Sequence, residues 1–367
     1  MLSKLFEYTL YNKFSMFLTT SDLQFGFKAG VGCTDALYCL KSVVNHYIDA
    51  GCTVTVSALD MSKAFDKISH SCLYLKLLHR SVPKCFIDIL LCWYSKCQAS
   101  VRWGSAMSQV FKVTAGVCQG GILSPFLFAI YIEDMVHELK QSKLGCCINK
   151  QYLGIFLYAD DILLISQSIT CMQKMLNLCY DIATQLDMKF NFKKSVVMRI
   201  GKRFKKSCDA LQIGGEKLNF VTQLRYLGVY LLAGMHFRCT FVHSKLKFYK
   251  CFNAIYSKSH SGSSELISVQ LLKSYCMPLF LYACEVISPS ASDIKMLDKL
   301  INTALFKIFK TFNMDIITDI RNYLDLPPVK DIICNRETKF VTKFASKPLL
   351  FSKTVLLMNG YHKCKHS

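Results

Sequence analysis

Leu157-Tyr158-Ala159-Asp160-Asp161-Ile162-Leu163-Leu164-Ile165 sets two adjacent carboxylates inside an otherwise apolar run. The apolar flanks predict a hairpin over 154–166, with two buried strands and the acids at its tip. Charge placed that close to a core is costly without a partner, so the pair calls for a cation. An ordinary turn is the competing reading, because Asp is common in turns. Neither Gly nor Asn accompanies the pair, however.

A third acid stands upstream, in ALDMSKAFDKISH, residues 58–70. The β-branched stretch Thr53 to Leu59 predicts a strand that ends at Asp60. Asp66 follows six residues later and reads as the cap of the next helix. Asp60, Asp160 and Asp161 together offer hard oxygen ligands for Mg²⁺ or Mn²⁺. Two such ions about 3.5–4 Å apart would stabilise an attacking and a leaving oxygen in an in-line displacement.

Further out, helical spacing runs through Ala36, Leu37, Leu40, Val43, Val44 and Tyr47, and through the amphipathic stretch Thr170 to Leu186. Gly116 to Pro125 reads as a loop, and Phe126 to Leu139 as a helix. Strand signals fade beyond Leu232. Helical patterns then cover Thr240 to Lys258, Ser264 to Val286 and Asp293 to Phe312, so a domain boundary is expected near Leu232. In the first of these helices Lys245, Lys247, Lys250 and Lys258 alternate with Phe248, Tyr249, Phe252 and Tyr256. That pattern fits an amphipathic helix with solvated lysines, and it also fits a surface for nucleic acid.

Composition narrows the function classes. A hydrophobic fraction of 52% and an aromatic fraction of 13% over 367 residues exclude a disordered chain. The formal charge of +20 points to a polyanionic partner, nucleic acid first and anionic membrane second. Apolar runs such as Cys276 to Ile287 and Ile122 to Ile132 fall short of the roughly 18–20 residues a bilayer needs. The opening MLSKLFEYTLYNKF carries no continuous apolar core of signal-peptide type. Cytosol or nucleus is the expected location, with no membrane partner. None of the 19 cysteines forms a C-x-x-C pair, so neither a zinc ribbon nor a redox motif is written. His362, Cys364 and His366 lie near one another at the end of the chain, where an unstructured tail is the expectation.

The motifs then assemble in order. QFGFKAGVGCTDAL (24–37), ALDMSKAFDKISH (58–70), GVCQGGILSPFLFAIYIEDM (116–135), YADD (158–161), KFNFKKSVVMRIG (189–201) and YLGV (226–229) resemble the fingers and palm motifs of non-LTR (LINE-type) retrotransposon reverse transcriptases. The resemblance spans roughly the first 230 residues. It implies an α+β right-hand polymerase fold with fingers, an antiparallel palm sheet packed on helices, and a helical thumb. Residues 1–232 would form partial fingers and palm, 233–345 the thumb, and 346–367 a tail.

The same resemblance assigns metal binding to Asp60, Asp160 and Asp161, with two Mg²⁺ or Mn²⁺ ions as cofactors. Phe65 matches the aromatic gate against a ribose 2′-hydroxyl, and also reads as a core residue. Gln119, Gly120 and Gly121 match the loop against nucleotide and template, where small residues allow close backbone approach. Lys28 is a candidate for the triphosphate or a solvated charge. Lys194, in preference to Lys193, is the candidate proton donor to pyrophosphate. Tyr158 stands either near the primer end or in the hairpin core. The implied partners are an RNA template, a DNA primer and dNTPs. Relatives carry an upstream fingers segment and commonly an endonuclease, and often a basic residue or proline where this chain has Cys118. The chain therefore reads as a truncated product of a degraded element, with an inactive nucleic-acid-binding remnant as the alternative to an active polymerase.

Overall fold

The computed structural model describes residues 2–259, 264–347, 349 and 352–360. The terminal His362, Cys364 and His366 lie outside them. The described cysteines form no disulfide among themselves.

The residues cluster into two compact units. The first holds residues 1–36 and 47–222, the second residues 37–46 and 223–367. The helix Cys33–Asp49 supplies residues to both. Leu232, where the boundary was expected, lies inside the second unit, because YLGV belongs to a separate sheet. There Gln223–Tyr226 pairs with Val229–Leu232, which pairs with Arg238–Cys239.

The first unit is built on a five-stranded sheet. Its strands are β1 (Val54–Asp60), β2 (Ile155–Tyr158), β3 (Asp161–Ser166), β4 (Val196–Ile200) and β5 (Asn219–Phe220), in the order β5-β4-β1-β3-β2. All neighbours are antiparallel except β4 and β5. β2 and β3 read as nearly continuous apolar runs because they are buried on both faces. Val54, Val56, Ile155, Phe156, Leu163, Leu164, Ile165, Val197 and Met198 are all fully buried. Each such side chain contributes about 1.5–3 kcal/mol relative to exposure. The helix Ile169–Gln185 packs on β3 through Met172, Met175, Leu176 and Cys179, with Ser168 as its N-cap.

The single helix expected over Phe126 to Leu139 is two. Ser124–Tyr131 ends at Ile132, whose ψ of 0° leaves the helical range, and Glu133–Ser142 follows.

The second unit is mainly helical. In the helix Val242–Ser259, Phe248 and Phe252 are buried and Lys245, Lys247, Lys250 and Lys258 are exposed, which is the amphipathic reading. Tyr38 packs edge-on against Phe340 and Phe344 at 5.2 and 5.0 Å, and Asn359 Nδ2 donates to Ser42 Oγ at 2.7 Å. Residues Glu265–Ile287, with mean hydropathy 1.3, are long and apolar enough to cross a membrane by length and composition. This run is not one straight rod. Leu272–Cys276 is a π-helical turn, and Tyr282 is extended before the left-handed Ala283. Nearly half of its most apolar window, 44%, is buried inside the protein.

One buried cation organises the far part of this unit. Arg321, on the helix Met314–Tyr323, uses all five guanidinium donors. Nη1 and Nη2 fork onto Asp298 (3.1 and 3.0 Å), Nη1 also reaches Asn302, and Nε and Nη2 donate to the carbonyls of Leu326 and Pro327. Removing one partner of such a pair costs about 3–5 kcal/mol. Arg321→Ala is expected to lower stability by that order in urea denaturation, and Arg321→Lys to recover little of it, since an ammonium cannot match the fork. An unfolding free energy within about 0.5 kcal/mol of wild type, the scatter of surface substitutions, would refute this role.

Candidate active site

β1 ends on Asp60 and β3 begins on Asp161, and the register makes these residues direct partners. Direct partners in an antiparallel pair share a face, with Cβ atoms about 4.5–5.5 Å apart. The two carboxylates therefore stand side by side. Tyr158 pairs with Asp161 from the other strand, which closes a two-residue turn of Ala159 and Asp160. Ala159 takes a left-handed φ of 57°, a position that tight hairpins usually give to glycine. Asp160 and Asp161 are exposed and Asp60 is half-buried.

The backbone of Asp60 is held by the loop before β4. Its N–H donates to Ser195 Oγ (3.1 Å), and its carbonyl accepts the Asn191 N–H (2.8 Å). Lys194, on the same loop, brings its ammonium to 3.8 Å from the Asp60 carboxylate. Among the described residues, no three His, Cys, Asp or Glu side chains converge as a ligand set for a metal ion. The donor chemistry present is the opposed pair Asp60 and Asp161, with Asp160 on the adjoining turn.

A second group of predicted residues forms from two loops tied together. Val117 N–H donates to the Phe65 carbonyl (2.9 Å), Gly116 N–H to that of Ile68 (2.8 Å), and Gln119 Nε2 to Asp66 Oδ1 (3.0 Å). Phe65 is half-buried and stacks on the buried ring of Phe128 at 4.6 Å. Gly120 and Gly121 complete the loop, and Gly121 N–H donates to the Cys118 carbonyl. Asp66 sits in the short turn Ala64–Lys67 and does not cap the next helix. Ser69 does, accepting from the Cys72 N–H. The serine stands immediately before the helix, whereas Asp66 stands a turn too early.

Two predicted residues are engaged elsewhere. Lys28 Nζ donates to the Ser21 carbonyl (2.6 Å) and lies 3.4 Å from Asp22 Oδ1. Burial draws its ammonium below the usual lysine range, opposed by Asp22. Tyr158 is half-buried, and burial, with smaller effects from Cys33 and Asp35, pushes its phenol up to about 12.

Sequence reasoning missed two buried polar residues. Glu7 Oε2 accepts the Leu123 N–H (2.9 Å), capping the helix Ser124–Tyr131 from a distant helix. Gln24 Oε1 accepts the N–H groups of both Gly26 (3.0 Å) and Ala159 (3.2 Å). An acid inside the apolar pattern of residues 2–14 was the only available signal for Glu7.

Residues 1–231 match the family described as reverse transcriptase (RNA-dependent DNA polymerase). The chain belongs to the reverse transcriptase family. This reverse transcriptase chain is 27% identical over 224 residues to the Pol polyprotein of the type-2 retrotransposable element R2DM of Drosophila melanogaster, covering 59% of this chain and 21% of that protein. It is 27% identical over 222 residues to the RNA-directed DNA polymerase from mobile element jockey of Drosophila funebris, covering 59% and 24%. These relatives are of the non-LTR type, as the motifs implied, and the chain spans about a quarter or less of their length. Among solved structures, apo telomerase from Candida tropicalis superposes with a TM-score of 0.51 at 12% identity, covering 96% of this chain and 57% of that one. At that identity the likeness concerns the fold alone.

Gly116 tests the tie between the two loops. It has φ 87°, and a Cβ there would stand 2.9 Å from the Asp66 carbonyl oxygen and 3.0 Å from that of Phe65. Backbone atoms cannot step aside as a flexible side chain can. Gly116→Ala is expected to destabilise the chain by about 1–3 kcal/mol. Thermal denaturation followed by circular dichroism checks this, and an unchanged melting temperature would count against the contact.

Proposed function

We propose that this reverse transcriptase domain is an RNA-directed DNA polymerase of a non-LTR retrotransposon, extending a primer 3′-hydroxyl with dNTPs along an RNA template. The observation that carries this reading is the pairing of Asp60 with Asp161 beside the exposed Asp160. Like charges set directly opposite repel, and the arrangement is relieved by a cation. Asp60, Asp161 and Asp160 would hold Mg²⁺ or Mn²⁺, since their hard oxygens suit such ions. When bound, two such ions supply activation of the 3′-hydroxyl and neutralisation of charge on the departing pyrophosphate.

The chain's own residues do the remaining work. Lys194, beside Asp60, is the proton donor to pyrophosphate. Phe65, braced by Phe128, excludes a 2′-hydroxyl by its bulk, and Gln119 with Gly120 and Gly121 lies against nucleotide and template. Tyr158 flanks the primer end, and Lys28 serves the triphosphate after leaving Ser21 and Asp22. Residues 1–232 act as fingers and palm and 233–345 as thumb. In the thumb, exposed lysines of Val242–Ser259 grip duplex backbone without reading sequence.

A second reading, a chain that binds nucleic acid without turnover, is favoured by the absence of three converging ligands among the described residues. Primer extension separates the two. Purified protein with an RNA template, an annealed DNA primer, dNTPs and Mg²⁺ or Mn²⁺ is expected to extend the primer. Asp160→Asn should reduce the rate far more than duplex binding, because the ligand acts in the transition state. Salt-sensitive duplex binding without extension in either metal would support the second reading instead. In the active protein, Phe65→Ala should admit ribonucleotides, and unchanged sugar selectivity would refute the gate.

A further inference from the structure

We infer that Gln24 is a positioning residue for the catalytic turn: its side-chain carbonyl holds the Ala159 amide and so sets where Asp160 and Asp161 stand. The role of those acids rests on the function proposed above, whereas the brace itself rests on geometry alone.

Four observations carry the inference. Gln24 is fully buried, and one oxygen accepts both the Gly26 N–H and the Ala159 N–H. Two donors on one atom fix that atom as the oxygen of the amide. Ala159 sits at φ 57°, where an alanine is strained and glycine is not, so the turn needs an external hold. The segment around Gln24 is itself locked to β2, since Phe25 N–H donates to the Leu157 carbonyl (2.8 Å) and Leu157 N–H to that of Leu23 (2.9 Å). Finally, Gly26 passes so close that a Cβ would stand 2.7 Å from the Ala159 nitrogen. The two segments thus touch backbone to backbone, with the glutamine oxygen as the polar link.

A plain core glutamine fits less well. Its Nε2 is buried with no hydrogen-bond partner among the described residues. Leaving a buried donor unmade is unfavourable, so the side chain is poorly suited to a purely packing role. The carbonyl is the end that is used, and it is used on the turn.

Gln24→Met removes the oxygen at similar volume. Amide exchange over residues 155–166 is expected to speed up about tenfold or more, with a cooperative melt retained. In primer extension kcat should fall roughly 10- to 100-fold, the order that a misplacement of about 1 Å causes, with KM for dNTP unchanged. Adding Ala159→Gly should return part of both losses, because glycine adopts the turn without the brace. Gln24→Asn, which is too short to reach, serves as a second variant if the methionine protein fails to fold. Unchanged exchange across the hairpin overturns the inference. So does a loss of protection spread over the whole chain that Ala159→Gly does not reverse, since that marks a merely structural residue. A wild-type protein that extends no primer removes the proposed function, while the exchange measurements still decide the brace.

Discussion

Two carboxylates forced opposite each other by strand register are the constraint around which the first unit is arranged. The repulsion between Asp60 and Asp161 works against the pairing that creates it, so the pairing is secured elsewhere. β1 and β3 are buried on both faces, and their apolar side chains hold the ladder below the acids. A slip of one residue would set Asp60 against Ile162 or Asp160 and turn every side chain over. Above the ladder, Ser195 and Asn191 grip the Asp60 backbone from one side, and Lys194 adds a positive charge. The edge of β2 is held by the segment Leu23 to Phe25. The ladder, the loop 191–195 and the segment Leu23 to Phe25 are separate stretches of sequence, which is why the motifs of this family are scattered while the site they build is small.

Much of that frame was legible because it is local. β1, the hairpin and the helix Ile169–Gln185 announce themselves by β-branched content, apolar flanks and 3.6-residue periodicity. The inward rings and outward lysines of Val242–Ser259 follow from the same spacing. What escaped was long-range and polar. Glu7 meets Leu123 across 116 positions, and Gln24 meets Ala159 across 135. No periodicity encodes such contacts, and each residue looked like an interruption or part of a loop. Lys28 shows the converse: its motif position was readable, but its hold on Ser21 and Asp22 depends on a turn the pattern does not specify. The break at Ile132 was missed for a simpler reason: it depends on a backbone angle within an apolar stretch, and composition is silent on that.

The second unit solves a different problem, the burial of a guanidinium. Arg321 satisfies its whole donor set with Asp298, Asn302 and two carbonyls just beyond its own helix. That closes the turn leading into Val329–Ala345, whose first N–H also donates to Asp298. A single aspartate thus joins three successive helices. The arrangement confers geometry more than net stability, because the desolvation of the pair offsets much of its attraction.

The placement of residues 37–46 in the second unit bears on how the chain is made. Ser42 meets Asn359 across 317 positions, and Tyr38 rests on Phe340 and Phe344. At about 5–20 residues per second, a ribosome needs roughly 15–60 s to deliver those partners. During that interval Tyr38 and Ser42, on an early helix, stand without the partners they meet in the folded chain. Translation speed and chaperone access over that window therefore bear directly on the yield of folded protein.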